Sequence, residues 1–455
     1  MSKRTFDLTH NDNNVAPNRR KLGALTHFNG FNLAILALVI SVFLSSCSSS
    51  NNSSSTTQPS GPVKFTTTSY DPSSTSIPSF YSPPSPLPTA QPGTLIRYEE
   101  VTGVPGVPSG ATLYRILYHS RSIYNVDIAE SGYVVVPGTS APKGGYPVIT
   151  WAHGTTGAAP ICAPSLFETD GAGTYLIPQI SKFVGAGFLI AATDYEGLGI
   201  PGGIHPYLLG ESEGRAVLDA AKAAMQLPNT KVSNKVIIYG HSQGGHAALF
   251  AGELAPTYAS DLNVLGVVAA APATGITTIL AVALSPQFES AKGFIVTAAW
   301  TWGKTYKNLP ETDMFTPLGI SIGNKYVDSV CTDTLDKIMQ NDPTSSILMA
   351  SAQSNPTVVT YAKENNPGQV KTDFPMLVVQ GTSDNTVPPI LTDGYVTQSA
   401  CPIGDTIDYL HFTGATHGTI VNVAAPTILS WMQARLAGAT APTTCGQTGD
   451  VSTSS

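Results

Sequence analysis

Three side chains, far apart along the chain, have the types and settings that acyl transfer requires. Ser242 stands in G-H-S-Q-G-G at 240–245, Asp384 in G-T-S-D-N-T-V-P-P at 381–389, and His417 in T-G-A-T-H-G-T at 413–419. A serine hydroxyl is a weak nucleophile until a base takes its proton, and the base needs a carboxylate to fix its tautomer and orientation. Ser242 is therefore read as nucleophile, His417 as base and Asp384 as orienting acid, in the chain order Ser, Asp, His. Asp384 and His417 both sit in small-residue loops just past strand ends, where ligands bind in open α/β sheets. Asp373, Asp405 and Asp408 compete for the acid's place and His411 for the base's. Asp405 and Asp408 flank or lie within a predicted strand, and His411 lies inside one, so they are worse placed.

The flanking elements explain how Ser242 is presented. Lys235–Tyr239 (K-V-I-I-Y) is an apolar run rich in β-branched residues, and His246–Leu254 is helix-forming. Strand, Gly-x-Ser-x-Gly, helix makes a sharp turn that lifts the serine hydroxyl above the sheet. Gly240 and Gly244 lack side chains that would meet neighbouring backbone there. The helix that follows aims its positive end at the place where an oxyanion forms. Acyl transfer also needs donors for that oxyanion. The backbone N–H of Gln243 is one candidate. Thr155 N–H, in the W-A-H-G-T-T-G loop at 151–157, is the other, with Thr156 or Gly157 in its place if the loop is shifted. His153 precedes Ser242 and belongs to this loop, so a structural role is expected for it. His246 is expected to pack rather than ligate. Asp194, in A-T-D-Y-E-G-L-G at 192–199, either braces the site, shapes the substrate pocket or forms a turn.

The 455 residues are long enough for one large α/β domain with an insertion, or for two domains. Charged residues make up only 12% and no basic patch stands out in the globular part, which argues against a nucleic-acid partner. The chain has no H-E-x-x-H, no Cys/His cluster, and no Walker or Rossmann glycine loop, so neither metal nor cofactor is expected. Residues 1–46 carry five basic and two acidic side chains, including Arg19-Arg20-Lys21, ahead of the apolar run Phe31–Leu44. That run has the length of a signal-peptide core and is short for a membrane span. Leu44-Ser45-Ser46-Cys47 resembles a bacterial lipobox, so 1–46 is read as a lipoprotein signal peptide with Cys47 lipidated. Residues 47–92, rich in Ser, then Pro, are read as a disordered tether. The expected location is exported and anchored by lipid at the outer membrane or cell surface, otherwise periplasmic or secreted.

From 93 the pattern changes. Thr94–Val101, Thr112–His119 and Gly132–Val136 read as antiparallel strands. Pro147–Ala152 and Phe188–Thr193 read as strands buried on both faces. Glu211–Gln226 reads as a helix, followed by the strand and helix around Ser242 and a strand at Leu265–Ala271. Met376–Gln380 and Thr406–Phe412 are the last strands, and Asn422–Leu436 is a closing helix. Alternation of this kind predicts a mostly parallel sheet flanked by helices. The irregular stretch between Pro272 and Phe374 is too long for a loop in a compact domain and is read as an inserted helical cap, about 275–370, over the site. The catalytic domain is then 93–440, with a tail at 441–455.

The W-A-H-G-T-T-G loop, D-Y-E-G-L-G, the G-H-S-Q-G-G turn, G-T-S-D-N-T-V-P and A-T-H-G together resemble the secretory lipase family of α/β-hydrolases, over roughly 95–440. The resemblance implies an α/β-hydrolase fold with a helical cap, acting on carboxylic esters including acylglycerols, with Ser242, Asp384 and His417 as its triad. An amide-cleaving peptidase of the same fold and a non-enzymatic anchored binding module are the alternatives. With Cys47 lipidated, Cys162, Cys331, Cys401 and Cys445 remain, and an oxidising compartment favours pairing them. The closing helix must return beside the last strand, so Cys401 and Cys445 can be neighbours, leaving Cys162 for Cys331. Resemblance to the secretory lipases supports the same pairing.

Overall fold

The computed structural model describes residues 61–74, 76–167 and 176–445. The expected signal segment, Cys47, tether residues 48–60 and tail residues 446–455 lie outside the described residues. In chain order come β1 (Val63–Lys64), β2 (Thr68–Ser69), β3 (Leu95–Thr102), β4 (Thr112–Arg121), β5 (Asp127–Val136) and β6 (Tyr146–Ala152). Next are α1 (Ile180–Gly185), β7 (Leu189–Thr193), α2 (Gly210–Ala224), β8 (Val232–His241), α3 (Gln243–Tyr258) and β9 (Asn263–Ala270). The stretch before the next strand holds α4 (Ile276–Val282), α5 (Lys292–Thr305), α6 (Pro317–Ile322), α7 (Thr332–Met339), α8 (Thr344–Ile347) and α9 (Pro356–Glu364). The chain closes with β10 (Met376–Gly381), α10 (Pro389–Gly394), β11 (Ile407–Phe412), α11 (Ile420–Val423) and α12 (Ala425–Leu436).

The strands form one sheet in the order β1-β3-β4-β5-β7-β6-β8-β9-β10-β11, with β2 also on β3. From β7 to β11 neighbours are parallel, while β3, β4, β5 and β7 pair antiparallel. Parallel strands carry helices on both faces and so read as continuous apolar runs. Along β8, Ile238 joins the core under α2 and α3, whereas Ile237 and Tyr239 join the opposite core with Phe183 of α1 and Ile428 and Met432 of α12. Full burial of one such side chain contributes roughly 1.5–3 kcal/mol, and the two layers together hold the strand ends at fixed heights. β6 lies between β7 and β8, so the chain leaves it in opposite directions. That reversal opens a crevice at the strands' C-terminal ends.

Two expectations are corrected. The tether does not extend to 92: within 61–74 and 76–92 the chain pairs with the sheet and buries aromatic side chains. β1 and β2 pair parallel with β3, Phe65 N–H donates to Tyr98 O at 2.8 Å, and Phe80 and Tyr81 are buried. Tyr81 OH lies 2.7 Å from Ser165 Oγ. A few aromatic anchors offset the ordering cost that the Ser/Pro-rich composition seemed to forbid. The closing helix is also two helices, α11 and α12, with Pro426 in the first turn of the second, where the missing N–H costs nothing.

The 276–364 region has its own apolar core, built on Trp300, Phe315, Leu335 and Met339 with Tyr207 and Leu208 of the body. Its helices are short because starts and stops recur. Thr316 caps α6 by accepting from Gly319 N–H, Asn355 caps α9 by accepting from Thr357 N–H, and Pro317 and Pro356 occupy their first turns.

Candidate active site

Directly after β8 comes Ser242, whose φ of 60° and ψ of −121° lie outside the regions open to ordinary residues. The neighbouring glycines make this turn feasible. A Cβ on Gly240 would come within 1.8 Å of Gly244 O, and one on Gly244 within 1.9 Å of Ala152 O. Strand register then does the alignment. Ala152 of β6 pairs with Gly240 of β8, so the loop carrying Thr155 leaves the sheet beside the Ser242 turn.

His417 Nε2 is 2.8 Å from Ser242 Oγ, and His417 Nδ1 is 2.7 Å from Asp384 Oδ2. Because the carboxylate accepts, Nδ1 carries the proton, Nε2 presents a lone pair, and the Ser242 hydroxyl donates to it. Asp384 is buried and fully oriented: Oδ1 accepts from Thr386 N–H at 2.9 Å and Val387 N–H at 2.8 Å, and Oδ2 accepts from Gln380 Nε2 at 3.1 Å. The competitors lie elsewhere. Asp405 accepts from Thr372 N–H at 2.8 Å, and His411, on β11, sits 3.0 Å from Asp393 of α10.

Sequence reasoning missed two supports. His241 Nε2 lies 2.9 Å from His417 O, so the ring donates there and fixes the loop that carries His417. Burial, then the neighbouring His417, push its pKa down to about 3, which keeps the ring neutral. Gln380 ends β10 as the one polar residue of that buried strand, a signal that was legible. His153 has the expected structural role: Nδ1–H donates to Gly154 O at 2.6 Å, its ring packs on Tyr195, and burial lowers it to about 4. Asp194 braces the site's surroundings by accepting from Ser165 N–H at 2.8 Å and Ser131 Oγ at 2.6 Å, with Ser165 Oγ also bonded to it. Burial raises its pKa to about 6. The pocket and turn roles also considered for Asp194 gain no contact.

Gln243 opens α3 directly after Ser242. Thr155 lines the cavity above Ser242, with its Oγ1 2.7 Å from Tyr207 OH. Among the described residues no acceptor pairs with the Thr155 amide. The cavity measures ≈ 120 Å³. Its wall comes mostly from the 276–364 region, including Ile279, Leu280, Ala298 and Trp302, and is almost wholly apolar.

Cys162 and Cys331 are bonded, with Cα atoms 5.5 Å apart, as are Cys401 and Cys445, at 5.4 Å. The first bond joins the segment after the Thr155 loop to the start of α7, reinforced by a bridge between Gly157 and Cys331 and by Thr332 N–H donating to Thr156 O at 3.0 Å. The second fastens residues 444–445 along β11, where Thr444 N–H donates to Ile407 O at 2.7 Å. Among the described residues no group of three or more His, Cys, Asp or Glu side chains is arranged to hold a metal ion, and no helix is long and apolar enough to cross a membrane.

This arrangement has relatives. The chain is 25% identical over 391 residues to lipase A of Arthroderma benhamiae, covering 80% of each sequence. It is 24% identical over 392 residues to a probable inactive lipase of Mycobacterium tuberculosis, covering 79% of this chain and 82% of that one. The fold matches Candida antarctica lipase A in its closed state with a TM-score of 0.67 at 20% identity, covering 81% and 88% of the two chains. The sheet flanked by helices is thus an α/β-hydrolase fold. The family described as secretory lipase matches residues 174–444, more than half of the sequence, and the chain belongs to that family.

Proposed function

We propose that this chain is a serine carboxylic ester hydrolase working through Ser242, His417 and Asp384. The hydrogen-bonded line Ser242–His417–Asp384, with Ser242 lining an apolar cavity, carries the reading. Family membership alone is weaker support, since one relative is described as probably inactive. In the proposed cycle His417 Nε2 takes the Ser242 proton as Oγ attacks the ester carbonyl. The oxyanion accepts from Gln243 N–H and Thr155 N–H, and removing one such donor typically costs about 10²–10³ in rate. Collapse expels the alcohol, protonated by His417, and leaves the acyl group on Ser242. A water activated by His417 then releases the acid. Asp384 holds the imidazole and stabilises the imidazolium without taking its proton.

The apolar cavity wall supports an acyl group as its occupant, and the names of the relatives support lipid esters such as acylglycerols. Lipobox-type residues ending in Cys47 support export and anchoring, and two disulfides suit an oxidising compartment. Rates on p-nitrophenyl esters from acetate to palmitate, set beside aminoacyl p-nitroanilides, test the reaction class. The reading predicts ester turnover with anilides hydrolysed at least about 100-fold more slowly. Equal rates on both would point to an amide-cleaving enzyme.

A further inference from the structure

Beneath the Ser242 turn lies a polar cluster that the cycle above does not use. Glu213 of α2 is 0% exposed. Its Oε1 accepts from Leu208 N–H and from Gln243 Nε2, each at 2.8 Å, and its Oε2 lies 2.9 Å from His246 Nδ1. Gln243 Nε2 also lies 2.7 Å from His205 Nε2, so the Gln243 side chain is held by two partners. The opposite nitrogen of His246 is 2.9 Å from the Asn365 carbonyl. Both ring nitrogens of His246 therefore face oxygen, and one proton lies in the contact between His246 and Glu213.

Asn365 is where the 276–364 region returns to the sheet. Its Oδ1 accepts from Gly210 N–H at 2.9 Å, and its Nδ2 donates to Tyr306 OH at 2.9 Å. The next residue closes the neck: Asn366 Oδ1 accepts from Ile276 N–H at 2.6 Å. Burial would raise the Glu213 carboxyl, but the His205 and His246 imidazoles beside it hold it down to about 2. A charged carboxyl in the interior costs several kcal/mol unless its oxygens are satisfied, and here three donors satisfy them.

We propose that Glu213 is a positioning residue for acyl transfer, holding Gln243 on one side and, through His246, the Asn365 carbonyl at the neck of the 276–364 region on the other. The inference rests on Gln243 N–H serving as an oxyanion donor. The residue whose amide must point at the oxyanion has its side chain fixed by Glu213. The wall over the site is fixed by the same carboxylate through one intermediate.

The test compares Glu213→Ala with Glu213→Gln in the full chain, using p-nitrophenyl butyrate and a thermal unfolding check. Glutamine keeps an acceptor for Leu208 and Gln243 and can donate to His246. For E213A kcat should fall about 100-fold with KM changed by less than about threefold, the pattern of a lost transition-state contact. E213Q should stay within about fivefold of wild type in kcat. The pH profile of kcat should keep its wild-type inflection in both, because His417 and its partners are untouched. Should E213A fail to fold, Gln243→Leu takes its place and should show the same loss in kcat. A folded E213A or Q243L with kcat within about threefold of wild type overturns the proposal. So does an E213Q as impaired as E213A, which would assign the effect to charge and not to positioning. If wild type itself turned over no ester, the hydrolase reading would fail first, and the positioning role with it.

Discussion

Around Ser242 the strand-end loops and the 276–364 region present surfaces of opposite chemistry. The loops contribute polar atoms at hydrogen-bond distances: Asp384 alone accepts four hydrogen bonds. The 276–364 region contributes apolar side chains from several short helices, and the cavity they enclose has few polar atoms in its wall. Geometry on one side depends on backbone register, where Ala152 opposite Gly240 decides where the Thr155 loop begins. On the other side it depends mostly on packed volume. Substitutions should therefore act all-or-none on the first surface and in graded, substrate-dependent fashion on the second.

The largest effects belong to the polar surface. Ser242→Ala and His417→Ala should each lower kcat by at least about 10⁴ with the fold intact, and Asp384→Asn by about 10²–10⁴, because the imidazole loses the acceptor that sets its tautomer. Initial rates on p-nitrophenyl butyrate measure all three. Near-wild-type turnover by D384N would overturn Asp384 as the orienting acid. The apolar surface should answer differently. Ala298→Trp narrows the cavity. It should cut kcat/KM for p-nitrophenyl laurate by about 10–100-fold while leaving butyrate within about threefold. Equal losses on both esters would show that the wall does not measure the acyl chain.

How much of this was legible depends on the range of the signal. The Ser242 turn, the Asp384 turn and the His417 loop could be read because each combines a strand with a small-residue loop in a short window. The parallel strands were legible for the same reason, as burial on both faces makes a run such as M-L-V-V at 376–379 apolar throughout. What could not be read depends on contacts far apart in the chain. Glu213 sits in an alanine-rich helix, and only the fold brings it to His246 and Asn365. The order within 61–74 and 76–92 rests on Phe80, Tyr81 and pairing to β3, a few anchors inside a stretch whose average composition suggested a tether. The helices between 276 and 364 were expected as a class but not individually, because their caps and prolines break any long periodicity.

Two smaller effects sharpen the contrast on stability. The Cys162–Cys331 bond closes a separation of 169 residues between the two surfaces. Such a cross-link is worth about 5 kcal/mol in the chain-entropy model. Cys162→Ser with Cys331→Ser should lower Tm and widen the range of acyl chains accepted before turnover of butyrate is lost. Unchanged selectivity would mean that the bond stabilises without restraining the wall. Asp219, in the body core, accepts from Ser120 Oγ at 2.9 Å and Tyr258 OH at 2.7 Å, and burial raises its pKa from 3.8 to about 7. Between those two values the unfolded chain has released a proton that the folded chain keeps. Stability therefore falls as pH rises through that window and stays lowered above it. Asp219→Asn should raise Tm by about 2–4 °C at pH 8 and by nothing at pH 3, as scanning calorimetry at the two pH values can show. An equal shift at both would mean that ionisation of Asp219 plays no part.

Mapping of a fluorophosphonate adduct tests the central claim most directly, because the probe reacts only with a serine that is both activated and served by oxyanion donors. Intact-mass and tryptic-peptide spectrometry should find one adduct per folded chain, on Ser242. Labelling should be slowed at least about 1,000-fold in His417→Ala. An unlabelled folded wild-type chain, or an adduct on another residue that persists in Ser242→Ala, would contradict the account.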